Sequence, residues 1–171
     1  MTGEGETRAA DALVIPPAEL DQVVRHLRRA LPNEGVGLLG VERVERGAEV
    51  IALARQFYPG SNCRASPTRY EMDRHDLIAA LRDIDRRGWE LGAIVHSHPL
   101  GPARPSPTDL AEFQYPEALM VIASFGCDPP DLNAWRLELE GESWRSRNVP
   151  ILDDDGWKTG PLIAETGPRR E

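Results

Sequence analysis

The sequence predicts an α/β domain in which helices pack on a β-sheet. Three observations point there. A chain of 171 residues suits one domain with its own core. Apolar runs rich in β-formers alternate with segments of helical periodicity. The run "WELGAIVHSH", residues 89–98, stays apolar through its middle, as a strand covered on both faces does.

The elements follow in order. "ALVI" at 12–15 is a short strand, and Pro16-Pro17 opens a helix whose Leu20, Val23, Val24 and Leu27 form one stripe, ending near Pro32. "GVGLLGVERV" and "AEVIALARQF" form a hairpin joined through "ERG". Asp73 caps a second helix with Asp76 in its first turn, Leu77, Ile78 and Leu81 on its apolar face and Gly88 as its stop. "SPTDLAEFQY" is a short helix, "EALMVIAS" a buried strand, and "LNAWRLELE" an alternating strand nearer an edge. Residues 1–11 and 153–171 are polar with scattered Gly or Pro, so the domain is expected over 12–152 between two loose tails.

Composition excludes some partners. With 20 basic against 28 acidic residues the net charge is −8, and Lys158 is the sole lysine. Neutralising phosphates needs a concentrated basic surface, so neither nucleic acid nor an anionic membrane is an expected partner. The stretch after Met1 is acidic and has no apolar run long enough for a signal peptide or a membrane span. Cys63 and Cys127 show no paired spacing, which suits a reducing compartment, and a cytoplasmic location is expected.

The chemistry concentrates in "IVHSHPLGPARPSPTDL", residues 94–110. Positions i and i+2 of a strand share a face, so His96 and His98 can present both imidazoles to one point, with Ser97 facing away. Asp109 follows after ten intervening residues. Two imidazoles and one carboxylate, with a fourth position open, make the ligand set of a catalytic zinc. The same segment is also a helix start, with Ser106 at the N-cap, Pro107 after it and an acid three residues on. The two roles are compatible, because a helix beginning there holds Asp109 rigidly. A deaminase site would need His-x-Glu and paired cysteines, and the His-Glu-x-x-His helix of other zinc proteases is absent as well. A hydrolytic zinc needs a base for its water, and Glu34 in "LPNEGVGLLG", between the first helix and a Gly-rich strand, is the candidate.

Glu34, His96, Ser97, His98, Pro99, Ser106 and Asp109 together resemble the pattern of the JAMM (MPN+) metalloprotease family. The blocks "PNEGVGLLG", "SPTRYEMD", "GAIVHSHPLGPARPSPTDL", "YPEALMVIAS" and "LNAWRL" are similar, in order, to those of its compact bacterial members. The resemblance implies a mixed sheet flanked by helices in cytidine-deaminase-like layers, and zinc held by His96, His98 and Asp109. It implies that Glu34 activates water and that Ser106 steadies the oxyanion. Ser97 is assigned no chemical role, because its side chain should point away from the metal. It also implies a ubiquitin-like or sulfur-carrier protein ending in Gly-Gly as substrate, with ubiquitin itself disfavoured because the chain lacks room for the insertions of eukaryotic members. Two alternatives stand beside the peptidase. One is a non-catalytic scaffold, which should lack a ligand or the glutamate. The other is a zinc hydrolase of small amides, which a deep closed pocket would favour over an open groove.

Overall fold

A computed structural model describes residues 8–153. Its elements are β1 (Ala12–Val14), α1 (Pro17–Ala30), β2 (Val36–Arg46), β3 (Glu49–Gly60), α2 (Arg74–Arg86), β4 (Glu90–His98), α3 (Pro107–Glu112), β5 (Leu119–Ser124), β6 (Asp131–Glu140), β7 (Ser143–Val149) and β8 (Ile151–Leu152). The strands form one eight-stranded sheet in the order β7-β6-β5-β4-β2-β3-β1-β8. β4 pairs antiparallel with β2 and parallel with β5, so the sheet is mixed. The α/β architecture expected from the sequence is the one observed.

Helices cover both faces. On one face, Val23 and Leu27 of α1 pack with Leu39, Val95 and Val121. On the other, Ala80 and Ile84 of α2 join Leu38 and Ile94, while Leu110 of α3 lies against Met120 and Ile122. β4 is central as predicted, and Gly92 to His98 are buried without a break. Strict alternation then sends Ala93 and Val95 to the α1 side and Ile94 to the α2 side.

Local signals account for most boundaries. Asp73 accepts the backbone N–H groups of His75 and Asp76, capping α2. At its other end Gly88 takes φ +71° and donates to Asp85, while Trp89 donates to Ile84, the paired bonds of a Schellman stop. The hairpin turn falls on Gly47 and Ala48, because Arg46 and Glu49 are already paired and Gly47 alone takes a positive φ there.

Two features depart from expectation. Ala9 and Ala10 are buried in the core, and Asp11 accepts the Val50 N–H at 2.9 Å, so residues 8–11 are part of the packed structure rather than of a loose tail. β7 and β8 were not foreseen. β7 is an edge strand whose polar side chains leave only Val149 buried, and β8 is two residues long, so neither carries a readable pattern. The expected tail beyond Asp153, like residues 1–7, lies outside the described residues. Among the described residues no helix is long and apolar enough to cross a membrane.

Candidate metal centre

The site forms where three elements meet at one end of the sheet. β4 ends on His98, and its register places His96 opposite Ile122 of β5 and Val36 of β2. Because β2 runs antiparallel to β4, the residues just before Val36 reach the same end as His98, and this brings Glu34 there. α3 supplies the third component through its first turn. Its Ser106 Oγ accepts the Asp109 N–H at 3.1 Å, and Asp109 Oδ2 accepts the Ser106 N–H at 2.8 Å, a reciprocal capping box.

The donor atoms of His96, His98 and Asp109 converge. The two Nε2 atoms lie 3.2 Å apart, Asp109 Oδ1 is 3.2 Å from His96 Nε2, and Asp109 Oδ2 is 3.0 Å from His98 Nε2. Neighbouring ligands about 2.0–2.2 Å from a tetrahedral zinc lie roughly 3.3–3.6 Å apart, close to the separation of the two Nε2 atoms. One donor atom from each of the three residues lies within 4.8 Å of the others. All three residues are buried. His98 Nδ1 lies 2.7 Å from the Pro102 carbonyl, which can only accept, so in the neutral imidazole the proton sits on Nδ1 and Nε2 is left free to ligate. The residues fit a metal ion on this ground.

Electrostatics separate the groups by role. Burial pushes the His96 imidazole towards its neutral form, the form that ligates. For His98, burial acts downward, but hydrogen bonds with Asp109 and Pro102 outweigh it and raise its pKa. Burial also acts against ionised Asp109, yet the bonds to both imidazoles and to the Ser106 amide hold its carboxyl well below the usual range. Glu34 behaves differently. It is 3% exposed, its Oε2 has no hydrogen-bond partner among the described residues, and burial pushes its pKa up to about 7. A carboxylate tuned towards neutrality, with one oxygen left without a partner among the described residues, is poised to accept and release a proton.

The structure thus brings together His96, His98, Asp109 and Ser106, with Glu34 close enough for the charges of His98 and Asp109 to act on it. It also supplies residues that sequence reasoning did not place. The Tyr70 ring stacks on His96 at 4.5 Å between centroids. Its only sequence signal is its place within "SPTRYEMD". Ser97 turns from the candidate ligands as expected, but its Oγ accepts the Gly35 N–H at 2.8 Å. Beside the donors a cleft of ≈ 660 Å³ runs over Val36, Leu38 and Ile94, walled by Tyr70, Met72 and Phe113. Exposed Arg64, Glu71 and Glu112 line it too, so it opens to solvent.

Comparison with known proteins agrees with the fold. A family profile described as prokaryotic homologs of the JAB domain matches residues 16–138. A relative from Thermus thermophilus, named a probable TtuB-protein conjugate cleaving protease, is 38% identical over 116 residues, covering 67% of this chain and 72% of its own. A CysO-cysteine peptidase from Mycobacterium tuberculosis is 30% identical over 112 residues, covering 66% of this chain and 73% of its own. A solution structure from Desulfitobacterium hafniense superposes with a TM-score of 0.68 at 27% identity, covering 83% of this chain and 94% of that one. One from Salinibacter ruber gives 0.60 at 30% identity, covering 87% and 94%. The resemblance carried by the His-Ser-His-Pro segment is therefore borne out across most of the domain, and the chain belongs to the family of prokaryotic JAB-domain proteins.

Proposed function

We propose that this protein is a zinc-dependent peptidase that hydrolyses the peptide or isopeptide bond after the C-terminal Gly-Gly of a ubiquitin-like or sulfur-carrier protein. The observation that carries the reading is a buried donor trio beside a buried glutamate whose Oε2 has no hydrogen-bond partner among the described residues. His96, His98 and Asp109 would hold the ion. When bound there, zinc supplies a Lewis acid that lowers the pKa of water and polarises a carbonyl.

The chain's own groups do the rest. Glu34 takes the proton from the attacking water, and burial gives it the basicity to do so near neutral pH. Protonated Glu34 then gives that proton to the leaving amine. The Ser106 oxygen accepts the Asp109 N–H, which leaves its own O–H free to donate to the oxygen on which negative charge develops. His98 is kept in its ligating tautomer by Pro102.

The substrate class comes from the family resemblance, and the names of the Thermus and Mycobacterium relatives support it. An open cleft supports a protein tail over a small amide, and retention of every ligand and of Glu34 supports an enzyme over a scaffold. A cytoplasmic setting, in which exposed Cys63 and Cys127 stay free thiols, belongs to the same reading. The test is to incubate the zinc-loaded protein with carrier proteins whose Gly-Gly is joined either to cysteine or to a lysine side chain, and to read cleavage by mass spectrometry. Release at the glycine carbonyl by wild type, absent in Glu34→Gln, is the expected result. Zinc-loaded wild type that binds carriers but cuts none of them would return the protein to the scaffold class.

A further inference from the structure

Among the described residues nothing hydrogen-bonds Glu34 Oε2, so the hold on the Glu34 backbone bears directly on where the carboxylate points. That backbone is held closely. The peptide group between Glu34 and Gly35 has one acceptor and one donor, and side chains engage both. Asn62 Nδ2 donates to the Glu34 carbonyl at 2.9 Å, and Ser97 Oγ accepts the Gly35 N–H at 2.8 Å. The neighbouring groups are fixed as well, since Glu34 N–H donates to the Ser66 carbonyl at 2.8 Å and Ser97 N–H to the Gly35 carbonyl at 3.1 Å.

Asn62 uses its whole amide in this arrangement. Its second Nδ2 bond goes to the Arg69 carbonyl at 3.0 Å, and its Oδ1 accepts the N–H groups of Arg64 and Glu71, each at 3.0 Å. Two donors and a twice-used acceptor exhaust the common capacity of an amide, and the reversed orientation would set NH₂ against two N–H groups. One side chain therefore ties the Glu34 peptide to the loop that carries Tyr70, whose ring stacks on His96. From the opposite direction, Ser97 ties the same peptide to the strand that carries both histidines.

We propose that Asn62 and Ser97 form a clamp on the Glu34–Gly35 peptide that aims the Glu34 carboxylate for proton transfer, making both of them positioning residues for the peptidase reaction. The proposal rests on the reading of Glu34 as the base. Reacting groups displaced by about 1 Å can lose roughly 10²-fold in rate without loss of substrate binding, which sets the expected effect.

The test uses the full zinc-loaded chain and a sulfur-carrier protein whose Gly-Gly is joined to cysteine by a peptide bond. Asn62→Ala and Ser97→Ala should each lower kcat by about 10²-fold, with KM and zinc content unchanged. Ser97→Thr, which keeps the hydroxyl, should recover most of the rate. Independently of activity, amide hydrogen exchange should speed up at Gly35 in Ser97→Ala, and at Arg64 and Glu71 in Asn62→Ala. Glu34→Gln is measured alongside. If it cuts as fast as wild type, the base reading fails and the clamp falls with it. If it is inactive while both alanine variants, folded and zinc-loaded, keep wild-type kcat, the clamp alone is overturned. Should Ser97→Ala lose its fold or its zinc, Asn62→Asp decides, because it retains the acceptor for Arg64 and Glu71 but cannot donate to Glu34. A reduced kcat in that variant upholds the clamp and a wild-type kcat overturns it.

Discussion

Asp109 Oδ2 accepts the Ser106 backbone N–H at 2.8 Å and at the same time lies 3.0 Å from His98 Nε2. One carboxylate oxygen therefore serves a helix start and the candidate metal-binding cluster, and the helix cap orients that carboxylate. Replacement of Ser106 by alanine should act twice. Losing the capping oxygen should cost about 1 kcal/mol of stability. Losing the free hydroxyl proton should slow turnover by about 10²–10³-fold. Denaturant unfolding and steady-state kinetics on the same preparation separate the two, and destabilised protein with wild-type kcat would confine Ser106 to its capping role.

Purified protein should bind one equivalent of zinc, and His96→Ala or His98→Ala should abolish tight binding because two protein ligands then remain. Elemental analysis after dialysis measures this. Full stoichiometry in both variants would place the metal elsewhere. Chelation should lower the melting temperature of wild type and leave those of the two variants unmoved, since only a folded state that binds the ion is stabilised by it.

Glu34→Gln should keep the fold and the zinc but lose about 10²–10⁴-fold in rate. A second consequence follows in the metal-free protein. Glu34 ionises near its ordinary value of 4.5 when unfolded and only at about 7 when folded. Between those values the unfolded chain binds fewer protons, so stability falls as pH rises through the window. Glutamine carries no such charge. The variant should therefore gain on wild type as pH rises from 4.5 to 7, by up to about 3 kcal/mol, and the gain should level off above. Urea unfolding of both proteins at several pH values measures the difference, and a gap constant across the window would show that Glu34 is not buried as described.

Gly35→Ala should destabilise by about 1–3 kcal/mol through overpacking. A Cβ there would lie 2.9 Å from Leu27 Cδ2 and 3.1 Å from Ala30 Cβ, so α1 would have to move away from the start of β2. Thermal unfolding reads the loss, and a melting temperature equal to that of wild type would mean that the helix yields freely.

Much of this protein is determined by sequence neighbours alone. His96 and His98 share a face because a strand alternates, and Asp109 is held because Ser106 lies three residues before it, so the candidate trio that the structure brings together could be read before any fold was known. The cap at Asp73 and the stop at Gly88 are local in the same way. Other features needed the assembled sheet. Glu34 could be suspected from its place before an apolar strand, but only the antiparallel pairing of β2 with β4 brings it to the end that carries His98, and only burial there raises its pKa. Tyr70 against His96, and Asn62 and Ser97 on the Glu34 peptide, are contacts between residues about 26 to 62 positions apart that leave no periodic trace. The burial of Ala9 and Ala10 and the pairing of β8 with β1 are equally non-local. Spacing within one strand or one helical turn determines which groups can act together. The strand order decides which distant groups join them, because hydrogen-bond pairing and burial depend on partners that the chain reaches only when folded.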